Sequence, residues 1–191
     1  MKEQIDKRFE ESLAVIRATK DRLAGPIAQA VEIIIQAYRR GGGLLLFGNG
    51  GSASDAQHIA CELVGRFMLE RNALRAQALT ADASVMTALG NDYDFQSVFA
   101  RQVEAAGRGG DVAIGLSTSG DSANVVAGLA RARQLGMKTI ALTGRGGGKC
   151  AQHADVLLDV PCDGPSCRIQ EAHAVVYHVM CELIEAALAK A

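Results

Sequence analysis

Val112-Ala113-Ile114-Gly115-Leu116-Ser117-Thr118-Ser119-Gly120-Asp121-Ser122-Ala123-Asn124-Val125 is the stretch on which the reading of the fold turns. Val112 to Leu116 is a short apolar run of buried-strand type. A serine-rich loop follows it directly, and a helix opens at about Ala123. Strand, tight polar loop and helix in immediate succession are the unit of a parallel α/β sheet. Free backbone N–H groups and the positive end of the helix dipole favour an anion at such a loop. Ser117, Thr118, Ser119 and Ser122 add four hydroxyl donors, more than helix capping requires. The loop lacks the lysine of a Walker A sequence, which argues against a nucleoside triphosphate.

The same design occurs once before. Leu44 to Phe47 is a buried-strand run, followed by Gly48-Asn49-Gly50-Gly51-Ser52 and a helix from about Ser54 to Phe67. Further strands are expected at Ala76–Leu79, Lys138–Leu142 and Asp155–Val160. Helices are expected near Ala83–Leu89, Gln96–Ala106, Ala123–Leu135 and Ile169–Leu188. This alternation predicts one α/β unit over residues 41–191, a mainly parallel sheet of about five strands covered on both faces. Ligands of such sheets bind beyond the carboxyl ends of the strands. Ahead of the sheet, Ile5, Phe9, Leu13 and Ile16 recur at helical spacing. Ile27, Val31, Ile34 and Tyr38 do so again after Pro26. Pro26 suits the first turn of a helix, so the first forty residues read as two helices.

Composition narrows the function. A net charge of −1 gives no electrostatic case for nucleic acid or an anionic membrane. The absence of tryptophan makes base stacking a poor expectation. No apolar run approaches the roughly 20 residues of a membrane span. The charged start Met1-Lys2-Glu3-Gln4 predicts no secretory leader. The five cysteines are odd in number and match no zinc-knuckle spacing, which reads as reduced thiols in a cytoplasmic protein.

Two helices carry further chemistry. His58, Glu62 and Arg66 stand at successive i,i+4 positions and share one face. His58 and Glu62 can offer nitrogen and oxygen to one ion, or simply form a solvated face. The last helix contains Gln170, His173 and His178. Gln170 and His178 lie about 12 Å apart along its axis. If both serve one site, two subunits supply them or the helix start bends inward.

Taken in order, several stretches resemble the phosphoheptose isomerases of the sugar isomerase (SIS) superfamily over nearly the whole chain. They are Gly48-Asn49-Gly50-Gly51-Ser52, Gln57-His58 to Glu62-Leu63, Gly90-Asn91-Asp92, Ser117-Thr118-Ser119-Gly120, Ser122-Ala123-Asn124-Val125, Ala141-Leu142-Thr143-Gly144 and Arg168-Ile169-Gln170-Glu171. The resemblance implies a single SIS domain with an N-terminal helical extension, acting as a cytoplasmic homotetramer. It implies conversion of sedoheptulose 7-phosphate into D-glycero-D-manno-heptose 7-phosphate, the first step toward bacterial heptose precursors. The substrate contacts it implies are Asn49, Gly50, Gly51, Ser52, Glu62, Asn91, Asp92, Ser117, Thr118, Ser119, Ser122 and Gln170. It implies zinc on His58, Glu62, Gln170 and His178, polarising the C1 and C2 oxygens, and Glu62 with His178 as the acid–base pair. A non-catalytic branch of the superfamily, which binds the bacterial replication initiator, lacks the counterparts of Glu62 and His178; both are present here. An isomerase of another sugar phosphate is the remaining alternative. Where many relatives carry aspartate, Cys167 precedes Arg168. The neighbouring Pro161–Pro165 loop diverges too, so a shifted substrate preference is expected.

Overall fold

The computed structural model describes residues 1–189. Five parallel strands form one sheet: β1 (Leu44–Gly48), β2 (Ala76–Ala78), β3 (Val112–Ser117), β4 (Lys138–Gly144) and β5 (Val156–Val160). Their order is β2-β1-β3-β4-β5, with every neighbour parallel. From β1 the chain steps outward to β2, then returns to the other side for β3. The crevice between the carboxyl ends of β1 and β3 is therefore the topological switch point, where open α/β sheets bind ligands.

The helices are α1 (Lys2–Arg39), α2 (Gly51–Val64), α3 (Ala83–Asp92), α4 (Val98–Ala106), α5 (Ala123–Gln134) and α6 (Ser166–Leu188). They cover both faces because the strands are apolar on both. Leu44 and Leu46 of β1 join the core under α1, α2 and α6. Leu45 and Phe47 point the other way, into the core under α4 and α5. Val112, Ile114 and Leu116 against Ala113 repeat that alternation on β3.

The expectation of two N-terminal helices is corrected. α1 is one continuous helix of 38 residues with Pro26 inside it. Proline removes one main-chain donor and crowds the residue before it, chiefly through that residue's Cβ. Here that residue is Gly25, which has no Cβ. Packing then carries the helix through: Leu23, Ile27, Ala30, Val31 and Ile34 are all buried. The chain turns sharply after β4. It enters a run of 3-10 turns, Arg145–His153, broken by positive φ at Gly146, Gly147 and Gly148.

Candidate active site

The serine loop lies where expected, between β3 and α5. Gly120 adopts φ +72°, and a Cβ there would meet the Gly147 carbonyl oxygen at 2.2 Å, so no larger residue fits. That close approach braces the loop against the glycine turn. The Cys150 amide donates to the Gly120 carbonyl at 2.8 Å, and the Lys149 amide to Asp121 Oδ1 at 3.1 Å. Within the loop, Ser117 Oγ donates to Ser122 Oγ at 3.0 Å and lies 3.4 Å from Ser119 Oγ. Ser117 is buried, whereas Thr118, Ser119 and Ser122 are half-buried and reachable.

The glycine loop after β1 is tied to this one by a pair of amides. Asn49 Nδ2 donates to Asn124 Oδ1, and Asn124 Nδ2 donates back to Asn49 Oδ1, both at 2.8 Å. Asn124 Oδ1 also accepts the Val125 amide. The place of Asn124 at a helix start gives no hint in the sequence of a partner 75 residues away. Ser52 is buried beneath the loop, and Gly50 and Gly51 are exposed at its crest. Gln170, in the first turns of α6, rests on Gly51: a Cβ at Gly51 would meet the Gln170 amide nitrogen at 2.3 Å. Asn91 and Asp92 belong to a different helix. They end α3, are exposed, and are bonded to each other, with Asn91 Nδ2 donating to Asp92 Oδ1 at 2.8 Å.

A second cluster forms farther along α2, where that helix meets α6. His58 Nε2 is 3.0 Å from Glu62 Oε1. The His178 ring stands 5.0 Å from the His58 ring, edge to face. Phe67 stacks on the other side of His178 at 5.7 Å. Tyr177 Oη is 3.2 Å from His58 Nδ1 and donates to Asp55 Oδ1 at 3.4 Å. Burial raises the Asp55 carboxyl above its ordinary range and pushes the Tyr177 phenol up to about 12. Sequence reading missed Asp55 and Tyr177. Asp55 stands one turn before His58, a spacing that was visible; Tyr177 looked like one more apolar residue of α6.

The backbone under Glu62 is fixed by a buried ion pair. Arg71 donates to the carbonyls of Glu62 at 2.7 Å, Gly65 at 3.1 Å and Asn72 at 3.0 Å. It thereby satisfies carbonyls at the α2 C-terminus. Glu185 lies 3.4 Å from Arg71 Nε and accepts the amides of Phe67, Met68 and Leu69. Burial alone pushes the Glu185 carboxyl up, but those three amides and Arg71 together hold it below the ordinary carboxylate range. His173 serves the other end of α6. It is fully buried, with Nε2 3.0 Å from the Thr143 carbonyl, and burial lowers it to about 4.

The four residues named for zinc divide between the two clusters. His58, Glu62 and His178 are together, whereas Gln170 sits on Gly51, about 12 Å back along α6. Both nitrogens of His58 are engaged by Glu62 and Tyr177. Among the described residues no group of three or more His, Cys, Asp or Glu side chains is arranged to hold a metal ion. The donor types suit zinc, but one chain by itself does not assemble the set.

A parallel sheet with a hydroxyl-lined loop at its switch point, and a histidine–carboxylate cluster between α2 and α6, defines a domain of the SIS type. Residues 8–144 match the model of the SIS domain family, and the chain belongs to that family. Within it the chain belongs with the phosphoheptose isomerases. It is 54% identical to the phosphoheptose isomerase of Aquifex aeolicus, over 97% of this chain and 96% of that protein. The solved phosphoheptose isomerase of Neisseria gonorrhoeae superposes with a TM-score of 0.91 at 45% identity, covering 97% of this chain and 98% of that one. The Francisella tularensis phosphoheptose isomerase gives a TM-score of 0.92 at 38% identity, over 96% and 97%.

Proposed function

We propose that this chain interconverts D-sedoheptulose 7-phosphate and D-glycero-D-manno-heptose 7-phosphate, supplying bacterial heptose precursors. The observation that carries the reading is a site with two chemically different regions. One is an anion loop of Ser117, Thr118, Ser119 and Ser122, and the other an acid–base cluster of Glu62 and His178. A heptulose 7-phosphate likewise carries its phosphate at one end and its reactive carbonyl at the other. Asn49, Gly50, Gly51, Ser52 and Gln170 line the approach to the loop. Asn91 and Asp92 contact substrate only if assembly or closure brings the end of α3 to it.

Glu62 takes the C1 proton of the ketose while the carbonyl oxygen at C2 gains one, leaving an enediol. Return of a proton to C2 and loss of the C1 hydroxyl proton give the aldose. His178 is the partnering acid in this scheme. Incubation of the pure protein with sedoheptulose 7-phosphate tests the proposal directly. Appearance of the aldose product supports it, and no turnover with or without added zinc favours a non-catalytic binding protein.

Assembly and metal belong to the same proposal. Ile5, Phe9 and Leu13 of α1 and Val175, Val179 and Leu183 of α6 are exposed. The α6 residues border an apolar groove of about 430 Å³ between the two helices. Such a face favours association into the homotetramer, and light scattering reads it. Zinc rests on donor chemistry: two imidazoles, a carboxylate and an amide oxygen, completed across a subunit contact because one chain separates Gln170 from the rest. Metal analysis of chelator-free protein, with His58→Ala as control, decides it. All five cysteines are free, which suits the cytoplasm. Among the described residues no helix is long and apolar enough to cross a membrane.

A further inference from the structure

We infer that Tyr177 is a positioning residue for His58, anchored in turn by Asp55, and that this α6-to-α2 bridge sets how His58 meets Glu62. The inference rests on the reading of Glu62 as the base. Tyr177 is 3% exposed, so its ring is held by the core and its hydroxyl has one fixed address. That hydroxyl lies between two groups on the same face of α2, Asp55 Oδ1 at 3.4 Å and His58 Nδ1 at 3.2 Å. The Tyr177 ring also packs edge to face on both histidines, 5.5 Å from His58 and 4.7 Å from His178. Imidazole orientation is a soft torsion unless one ring nitrogen is held. Here Nδ1 is held by the phenol, and the opposite nitrogen Nε2 is thereby aimed at Glu62 Oε1, 3.0 Å away. Asp55 is half-buried, and its Oδ2 is buried without a protein partner. Its side-chain hydrogen-bond donor is the Tyr177 hydroxyl. A carboxyl with one oxygen covered and unpartnered is better explained by what it orients than by stability. Carboxyl, phenol and imidazole in sequence form an outer layer of the kind that fixes functional histidines elsewhere.

Tyr177→Phe tests this, since it keeps the packed ring and deletes only the bridging oxygen. The expected result is a kcat reduced about 10- to 100-fold with KM for sedoheptulose 7-phosphate changed less than about twofold. The ¹⁵N signals of the His58 ring should also shift, because Nδ1 loses its partner. Asp55→Asn should move the same signals in the same protein background. Wild-type kcat in Tyr177→Phe, or His58 ring signals unmoved by that substitution, overturns the inference. The ring signals are read without turnover, and the wild-type assay is run beside the variant. A failure of the proposed reaction is therefore distinguishable from a failure of the bridge.

Discussion

The serine loop and the His58 cluster, the two regions of the proposed site, are built by opposite means. The loop is a main-chain object. Its shape comes from Gly120, from the Cys150 and Lys149 amides, and from the close approach of Gly147. The cluster is a side-chain object. Its members stand on two helices, and the Tyr177–His58 contact joins residues 119 apart in sequence. Turn chemistry is local, so the loop can be recognised from six consecutive residues. Helix-face chemistry requires knowing which helix lies opposite, and no local pattern states that. On the proposed reading the contrast also separates roles, with anion affinity assigned to one end and proton transfer to the other.

Glu62→Gln breaks the comparison most sharply. An amide keeps the shape of the side chain and removes the base. Turnover of sedoheptulose 7-phosphate should fall about 10³-fold, the usual weight of a positioned base, while sugar-phosphate binding persists. Equal loss of binding in a calorimetric titration would mean that the two regions do not divide the work. Turnover at the wild-type rate would return the search for a base to Asp92.

The cluster depends on a charge where the loop depends on backbone, and Glu185→Gln measures that dependence. Glu185 is 1% exposed and Arg71 has no other carboxylate partner among the described residues. The amide leaves a buried guanidinium uncompensated, so urea unfolding should show a loss of about 3–5 kcal/mol. A loss under 1 kcal/mol would show that neither Arg71 nor the amides of Phe67, Met68 and Leu69 depend strongly on the Glu185 carboxylate.

How much could be read in advance follows from the same division. All five strands and the order of loops were legible: β1, β3 and β4 as apolar runs beside glycines, β2 and β5 more weakly, since each carries a polar residue, Gln77 and Asp159. The serine loop was legible for the reason given above. Continuity of α1 was not, since Pro26 is a breaker by local rules and only the burial of Ile27 to Ile34 overrides it. His58, Glu62 and His178 were picked out by resemblance, whereas spacing had offered only a shared helix face. Arg71 and Glu185 were invisible: each reads as an ordinary surface charge until the 65–71 segment folds over the end of α6.

The loop's end of α6 carries a different kind of sensitivity, set by His173. Its folded-state value of about 4 lies below the ordinary 6.5, so the unfolded chain binds the extra proton first. The stability that neutral His173 contributes is thus present above pH 6.5 and is lost as pH falls toward 4. Between pH 7 and pH 5 the loss should be about 2 kcal/mol. Urea midpoints across that range read it, with His173→Gln as the comparison that should flatten the slope. A slope unchanged in the variant would show that His173 is not the source of the acid sensitivity; Asp55, whose carboxyl is raised by burial, has the opposite sign and gains stability as pH falls.

The smallest expected effect comes from Ser119→Ala, and it distinguishes two kinds of hydroxyl within the loop. Ser117 spends its proton on Ser122 and is buried, so it braces the loop. Ser119 Oγ accepts the Asp121 amide at 3.2 Å, and its own proton is committed only to a long 3.4 Å contact with Ser117 Oγ, from which it can turn outward to a phosphate. A donor to a charged phosphate oxygen contributes about 1.5 kcal/mol at the low end of its range, and several donors share the load here. Ser119→Ala should therefore weaken binding of the sugar phosphate about tenfold, with kcat nearly unchanged and the fold intact by circular dichroism. Ser117→Ala should weaken binding as well, but together with stability, because it releases Ser122 from its place. If Ser119→Ala binds as tightly as wild type while Ser117→Ala does not, the loop's hydroxyls are structural. The anion is then held by the main-chain amides at the start of α5.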